Sequence, residues 1–359
     1  MNRMNFREEL AKRAPRLRNG NTGKIYVFGI GEHWRKKHTL YNDVVDIDLT
    51  DYITAFVDND PNKQGLMHMG LPVIAPVEID TENAVVLVST WEYEREVIQQ
   101  LSELGFVNRS SCFDSYYFDI ILRAFVCTEI RKFSKSVQGG RCFILGNAPS
   151  LRVDDLDVLH RNNETTFAFN NIYKIFNQVR WRPTYYILQD YRAMPDVDTL
   201  KSMQMPKFIA LYLAKNELFD KSVFYFDLDM SMWYGDPTCK VQFSTEIERM
   251  YDGGSVVYSA IQAAVNMGYD EIYLLGVDNK YPIEVLYDGT IIKNVVNTYF
   301  YSDVNPGPGT NPGISELARN SLKCARDYSD RHGISIYNAT RGGALEVFKR
   351  VDFDSLFLH

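Results

Sequence analysis

Four short apolar runs in the later part of the chain each end in glycine, an amide or an acid. They are residues 142–146 (CFILG), 165–170 (TTFAFN), 184–190 (TYYILQD) and 271–278 (EIYLLGVD). Runs of this length without helical periodicity read as strands buried on both faces, the pattern of a parallel sheet. Two more, 207–212 (KFIALY) and 334–340 (ISIYNAT), extend the series, with helical or irregular stretches between them. An earlier series runs through residues 24–34 (KIYVFGIGEHW), 53–65 (ITAFVDNDPNKQG) and 84–90 (AVVLVST). An amphipathic helix follows it, with Val97, Leu101 and Leu104 on one side. Strand, turn and helix alternating in this way predict an α/β chain of two Rossmann-like, doubly wound parallel-sheet domains. The expected division is a basic tail over 1–22, a small first domain over 23–118 and a linker helix over 119–138. A larger, catalytic domain then takes 139–359.

Composition excludes several classes. The 359 residues suffice for two cores, and 45% hydrophobic with 24% charged residues is ordinary for a globular protein. A net charge of −7 argues against general nucleic-acid binding. Cys112, Cys127, Cys142, Cys239 and Cys324 are odd in number and contain no C-x-x-C pair, so they read as reduced thiols of a cytoplasmic protein. No apolar stretch is long enough for a membrane span. The tail carries Phe6, Leu10 and Leu17, a face that the inner membrane or a partner could take, but Pro15 favours a frayed, solvated segment. A homo-oligomer is compatible with the composition.

In the first domain Gly29 and Gly31 open a dinucleotide fingerprint, but Trp34 stands where the third glycine belongs. Asp58 falls late for a ribose-binding acid, so a dehydrogenase is disfavoured. In the second domain the ligand edge is the carboxyl end of the strands. Gly146 permits a tight turn there, and Asn147, Pro149 and Ser150 follow it. Asn170, Gln189, Asp190 and Asp278 end the other strands, bringing neutral amides suited to a nucleobase and ribose. Gly253, Gly254 and Ser255 precede a helix whose exposed N–H groups and dipole favour an anion by roughly 0.3–1 kcal/mol. No P-loop occurs. Residues 302–313, rich in glycine and proline, are expected to form a lid.

Residues 26–33, 55–65 and 70–79 resemble the small Rossmann-like domain that precedes many bacterial sugar-modifying and polysaccharide-biosynthesis proteins, where it is often an accessory or partner-binding module; no chemistry is assigned to it. Residues 143–151 (FILGNAPSL), 167–173 (FAFNNIY), 253–278 and 337–346 (YNATRGGALE) resemble a superfamily of bacterial and archaeal enzymes. Its branches are bacterial sialyltransferases, motility-accessory-factor glycosyltransferases and a family including a 6-hydroxymethyl-dihydropterin pyrophosphokinase. The resemblance covers about residues 139–352 and implies a sialyltransferase-like variant of the GT-A fold. It implies that Asn147, Ser150, Asn170 and Gln189 meet the nucleotide; Gly146 and Asp190, at the same strand ends, are expected beside them. Gly254 and Ser255 would lie near the donor's phosphate or carboxylate, and Asp278 near the ribose or acceptor. Tyr281 would supply a phenol near the phosphate.

One departure matters. The sialyltransferases carry a general-base histidine before the last helix, whereas the histidine here, His332, falls next to the last strand and reads as a helix-end residue. Glu316 lies nearest the vacant position and is the candidate carboxylate base. The leading expectation is a glycosyltransferase that passes a nucleotide-activated sugar, such as a CMP-nonulosonic acid, to a glycan or protein hydroxyl without a metal cofactor. The alternatives are a Mg²⁺-dependent pyrophosphokinase, with the ion between Asp190 and Asp278, and a non-catalytic nucleotide-sugar-binding protein.

Overall fold

A computed structural model of the chain describes residues 6–17, 23–45, 48–214, 221–233, 240–280, 283–285, 290–293 and 315–358. It divides into one unit built on the residues up to Glu129 and one built on those from Ile130.

The first unit opens with helix α1 (Phe6–Ala11), then β1 (Lys24–Phe28), α2 (Glu32–Val45) and β2 (Ala55–Val57). A short hairpin of β3 (Met67–His68) and β4 (Leu71–Ile74) follows, then β5 (Ala84–Val88), α3 (Glu94–Glu103), β6 (Cys112–Phe113) and α4 (Ser115–Val126). The sheet order is β3-β4-β2-β1-β5-β6, parallel except for the β3–β4 hairpin. All five residues of β5 are buried, which is why its sequence shows no polar alternation. The chain leaves β1 toward β2 and β4, then returns to β5 on the other side. The order therefore reverses between β1 and β5.

Two expectations change here. Over its described residues, 6–17, the tail is not a solvated segment: Phe6 and Leu10 are buried, and the Phe6 ring meets Tyr52 and Phe125 edge-on at 5.5 and 5.3 Å. Pro15 opens a separate 3-10 turn (Pro15–Leu17), a position where its missing N–H is harmless, and Leu17 is buried with it. The apolar face offered to a membrane is thus used inside the unit. The run expected as a linker helix is also divided. α4 ends at Val126 and a 3-10 segment covers Cys127–Phe133, while α4 buries Phe118, Ile121, Leu122 and Phe125 and packs on α1, β5 and β6. The run thus belongs to the first unit up to Glu129 and to the second from Ile130.

The second unit contains β7 (Arg141–Leu145), α5 (Val153–Arg161), β8 (Thr166–Phe169), β9 (Tyr185–Leu188), α6 (Val197–Ser202) and β10 (Lys207–Ala210). It continues with β11 (Val223–Asp229), β12 (Arg249–Tyr251), α7 (Val256–Met267) and β13 (Glu271–Leu275). A separate antiparallel pair, β14 (Ile283–Val285) and β15 (Ile291–Lys293), precedes α8 (Ser315–His332), β16 (Ser335–Asn338) and β17 (Lys349–Arg350). Nine strands form one sheet in the order β12-β11-β10-β9-β8-β7-β13-β16-β17, and every pairing in it is parallel. All six strands expected from the apolar runs are present. β11, β12 and β17 were not expected: the first alternates with acids at its end, and the other two are short, charged edge strands. The order reverses between β7 and β13, so both units are α/β sheets of the Rossmann-like, doubly wound kind.

Among the described residues no helix is long and apolar enough to cross a membrane.

Candidate functional site

The second sheet's reversal point is closed by two glycines. A Cβ on Gly146 would lie 2.0 Å from the Gly276 carbonyl oxygen, and Gly276 itself has φ +69°. Any side chain at Gly146 would push β7 and β13 apart. The glycines therefore hold the two strand ends together while the chain leaves β7 and β13 toward opposite sides, the place where open α/β sheets have their ligand crevice.

Side-chain to backbone bonds fasten the neighbouring strand ends in sequence. The Asn147 amide donates to Phe169 O at 3.0 Å, and the Tyr186 hydroxyl donates to Asn170 O at 2.7 Å. The Tyr212 hydroxyl donates to Gln189 O, and the Gln189 amide donates to Asp252 at 3.4 Å. These bonds run from β7 through β8 and β9 to the loop before α7, so the crevice is organised before any ligand arrives. Asn170 has φ +53°, a left-handed conformation that asparagine tolerates and a bulkier residue would resist.

What this framework leaves open is the informative part. Asn147 Oδ1, Ser150 Oγ, Asn170 Oδ1, Gln189 Oε1, Asp278 Oδ1 and Asn279 Oδ1 are all buried atoms without a hydrogen-bond partner among the described residues. Leaving one such group unsatisfied costs about 1–3 kcal/mol, and six at one sheet edge point to a polar ligand. The amide orientations of Asn147 and Gln189 are fixed, because each NH₂ faces an oxygen that can only accept. Their free carbonyl oxygens therefore seek donors.

Other residues singled out in the sequence are placed differently. Asp190 caps a 3-10 turn and holds Arg192 in an ion pair at 2.7 Å, so its carboxylate is engaged locally. The Gly254 N–H donates to Asp252 at 2.9 Å, and Ser255 caps α7 by accepting from the Val257 N–H at 3.3 Å. The turn expected to hold an anion already serves the protein's own Asp252 carboxylate, and a phosphate placed there would face that charge. The Ser255 hydroxyl still has its proton to donate. Gly253 matters for packing instead. A Cβ there would sit 2.5 Å from Ser321, so the bare glycine admits α8 against the start of α7.

Glu316 stands in the first turn of α8, at the margin of the buried stripe formed by Leu317, Ala318, Ser321, Leu322 and Ala325. His332 is at the exposed end of the same helix, its ring stacked on Tyr328, as its position beside the last strand suggests. Tyr281 and the expected lid over 302–313 lie outside the described residues. Asp278 is bound into the last loop, where its carbonyl accepts from the Ala344 N–H at 2.7 Å and its backbone passes 3.0 Å from where a Gly343 Cβ would be.

Asp252 and Tyr212 belong to this edge but were not expected there, whereas Asn279 follows Asp278 at a strand end the sequence marks. Tyr212 is half exposed, its ring at the edge and its hydroxyl turned in to Gln189. Burial, then the nearby Asp190 and Asp252 carboxylates, pushes its phenol up to about 12, so it stays protonated as a donor at neutral pH. Tyr191, 69% exposed, opens the 3-10 turn that follows β9. Among the described residues no three His, Cys, Asp or Glu side chains gather closely enough to hold a metal ion.

No family model matches the chain, and no curated protein matches it. Among solved structures, a MAf glycosyltransferase from Magnetospirillum magneticum AMB-1 is matched over 98% of this chain and 62% of its own length, with 15% identity and a TM-score of 0.37. The chain thus spans under two thirds of that protein. At this TM-score the likeness carries neither fold nor function, and both rest on the chain's own topology and residues.

Proposed function

We propose that the second unit binds a nucleotide-activated sugar in the β7–β13 crevice and transfers its glycosyl group to a hydroxyl of a glycan or protein. The observation that carries this reading is the set of six buried, unpartnered polar atoms at the strand ends. Four are amide carbonyl oxygens, one is a carboxylate oxygen and one a hydroxyl. Such a set asks for a ligand rich in O–H and N–H donors, which ribose, a sugar and the cytosine amino group supply. The exposed rings of Tyr191 and Tyr212 offer faces for a base, and stacking of this kind contributes about 1–3 kcal/mol per base.

The resemblance of residues 143–151, 167–173 and 253–278 to the sialyltransferase-like superfamily supports a CMP-linked nonulosonic acid as donor. In this reading Asn147, Ser150, Asn170 and Gln189 hold the nucleoside, and Asp278 faces the ribose or the acceptor. Glu316 removes the acceptor proton as the new glycosidic bond forms and the bond from the anomeric carbon to the phosphate oxygen breaks, releasing CMP. No metal is needed. The Mg²⁺-dependent alternative is weakened because Asp190, one of its two expected ligands, is paired with Arg192.

The test is a thermal-shift panel of CMP, CDP, UDP, GDP and ATP, each with and without Mg²⁺. Stabilisation by CMP that is independent of metal supports the proposal. Stabilisation confined to ATP with Mg²⁺ replaces it with phosphoryl transfer, and no shift with any nucleotide removes it.

A further inference from the structure

The first unit has a reversal point of its own, between β1 and β5, and it opens into a cavity of about 850 Å³. That volume falls in the range of small-molecule sites. Gly29, with φ +96°, turns the chain there, and its Cβ position lies 3.1 Å from Ser89 O. Ser89 lines the cavity, is 1% exposed, and its Oγ has no hydrogen-bond partner among the described residues.

The usual anion-binding features of such a turn are already neutralised. The Ile30 N–H at the glycine turn donates to Asp58 at 3.4 Å, so a carboxylate occupies the place a phosphate would take. Both lysines on the wall are paired, Lys63 with Asp58 at 3.0 Å and Lys36 with Glu32 at 2.8 Å. Glu92 and Glu96 add negative charge. A phosphate or nucleotide would therefore be repelled.

Two aromatic rings, Trp91 and Tyr93, stand on the rim at 65% and 60% exposure. The Trp91 indole N–H donates to His33 Nε2 at 2.7 Å, which fixes the ring by its edge and leaves its body to solvent. Carboxylates and a free serine hydroxyl bind sugar hydroxyls, while a fixed aromatic face packs against the C–H side of a pyranose ring. We propose that this crevice is a binding site for a neutral, hydroxyl-rich saccharide of one or two residues. The assignment does not depend on what the second unit binds.

Ligand-observed saturation-transfer NMR on the full chain tests it, with glucose, galactose, N-acetylglucosamine, N-acetylgalactosamine, lactose and chitobiose at millimolar concentration. Phosphate and UDP are the anionic competitors. Saturable binding of at least one saccharide is expected, weakened about tenfold or more in Trp91→Ala, reduced in Ser89→Ala and unchanged in Asn147→Ala. Because Trp91 is largely exposed, its removal leaves the core intact, and circular dichroism of the variant checks this. The proposal is overturned if no saccharide binds, if binding survives Trp91→Ala, if Asn147→Ala abolishes it, or if UDP or phosphate displaces the sugar.

Discussion

The two reversal points use the same backbone device and leave different chemistry behind. Each turns on a glycine at a parallel strand end, Gly29 against Ser89 and Gly146 against Gly276. In the second unit the surroundings are amides whose acceptor oxygens are open, with the Asn147 donor tied to Phe169 O and the Gln189 donor to Asp252. In the first they are carboxylates, two of them paired with lysines, the buried open hydroxyl of Ser89 and two exposed rings. A doubly wound sheet thus determines where a ligand sits, and the residues released at the strand ends determine which ligand it is.

The sharpest way to break the comparison is to fill the glycines. Gly146→Ala would place a methyl group 2.0 Å from a backbone oxygen that cannot move without parting β7 from β13. A loss of about 3 kcal/mol or more is expected, with local unfolding of the second unit seen by hydrogen exchange. Gly29→Ala meets its nearest atom at 3.1 Å and is strained mainly by its φ of +96°, so about 1–2 kcal/mol is expected. Equal losses at both positions would show that close approach is not what sets Gly146 apart.

Asn147→Ala comes next. It removes the bond to Phe169 O and one open acceptor, costing about 1–2 kcal/mol of stability. It should also abolish any nucleotide-dependent rise in melting temperature. A nucleotide shift of the same size in the variant would place the ligand elsewhere.

Much of this edge was legible in the sequence, because strands end where their apolar runs end and ligands gather at that end. Asn147, Ser150, Asn170, Gln189 and Asp278 followed from that rule. Asp252 did not: its bond from the Gly254 N–H is a local turn, but only folding brings its carboxylate to Gln189. Gly254 and Ser255 read as an open anion site only where the local turn of Asp252 onto the Gly254 N–H is passed over. The first unit's crevice was missed because its third fingerprint glycine is absent, which argued against one ligand without suggesting another. The N-terminal helix was missed because the partners that bury Phe6, Tyr52 and Phe125, are distant in sequence.

Asp252→Asn gives a smaller and more discriminating effect. The amide oxygen can still accept from the Gly254 N–H, while the charge is removed. Phosphate-bearing nucleotides should bind severalfold more tightly, a gain of about 1 kcal/mol. Weaker binding, measured by titration calorimetry, would mean that the carboxylate itself holds the ligand.

The smallest effect is a pH dependence in the first unit. Burial, then the neighbouring Lys37, holds His33 below the ordinary histidine value of 6.5, with Asp119 and Glu94 opposing. The neutral ring accepts the Trp91 N–H. Because the folded value is lowered, this contribution is complete above the unfolded value and is lost as pH falls through the folded one. Trp91 fluorescence, taken as the difference from Trp91→Phe, should therefore change only below pH 6.5. A change above that pH would contradict the assigned protonation state.

The central claim, that a nucleotide fills the open acceptors at the β7–β13 edge, is tested most directly by amide hydrogen exchange of the full chain with and without CMP. Added protection is expected at residues 146–150, 170–171, 189–190 and 276–279, and none at 29–33 or 89–93. Protection confined to the first unit's crevice, or absent from the second unit's strand ends at saturating CMP, would contradict it.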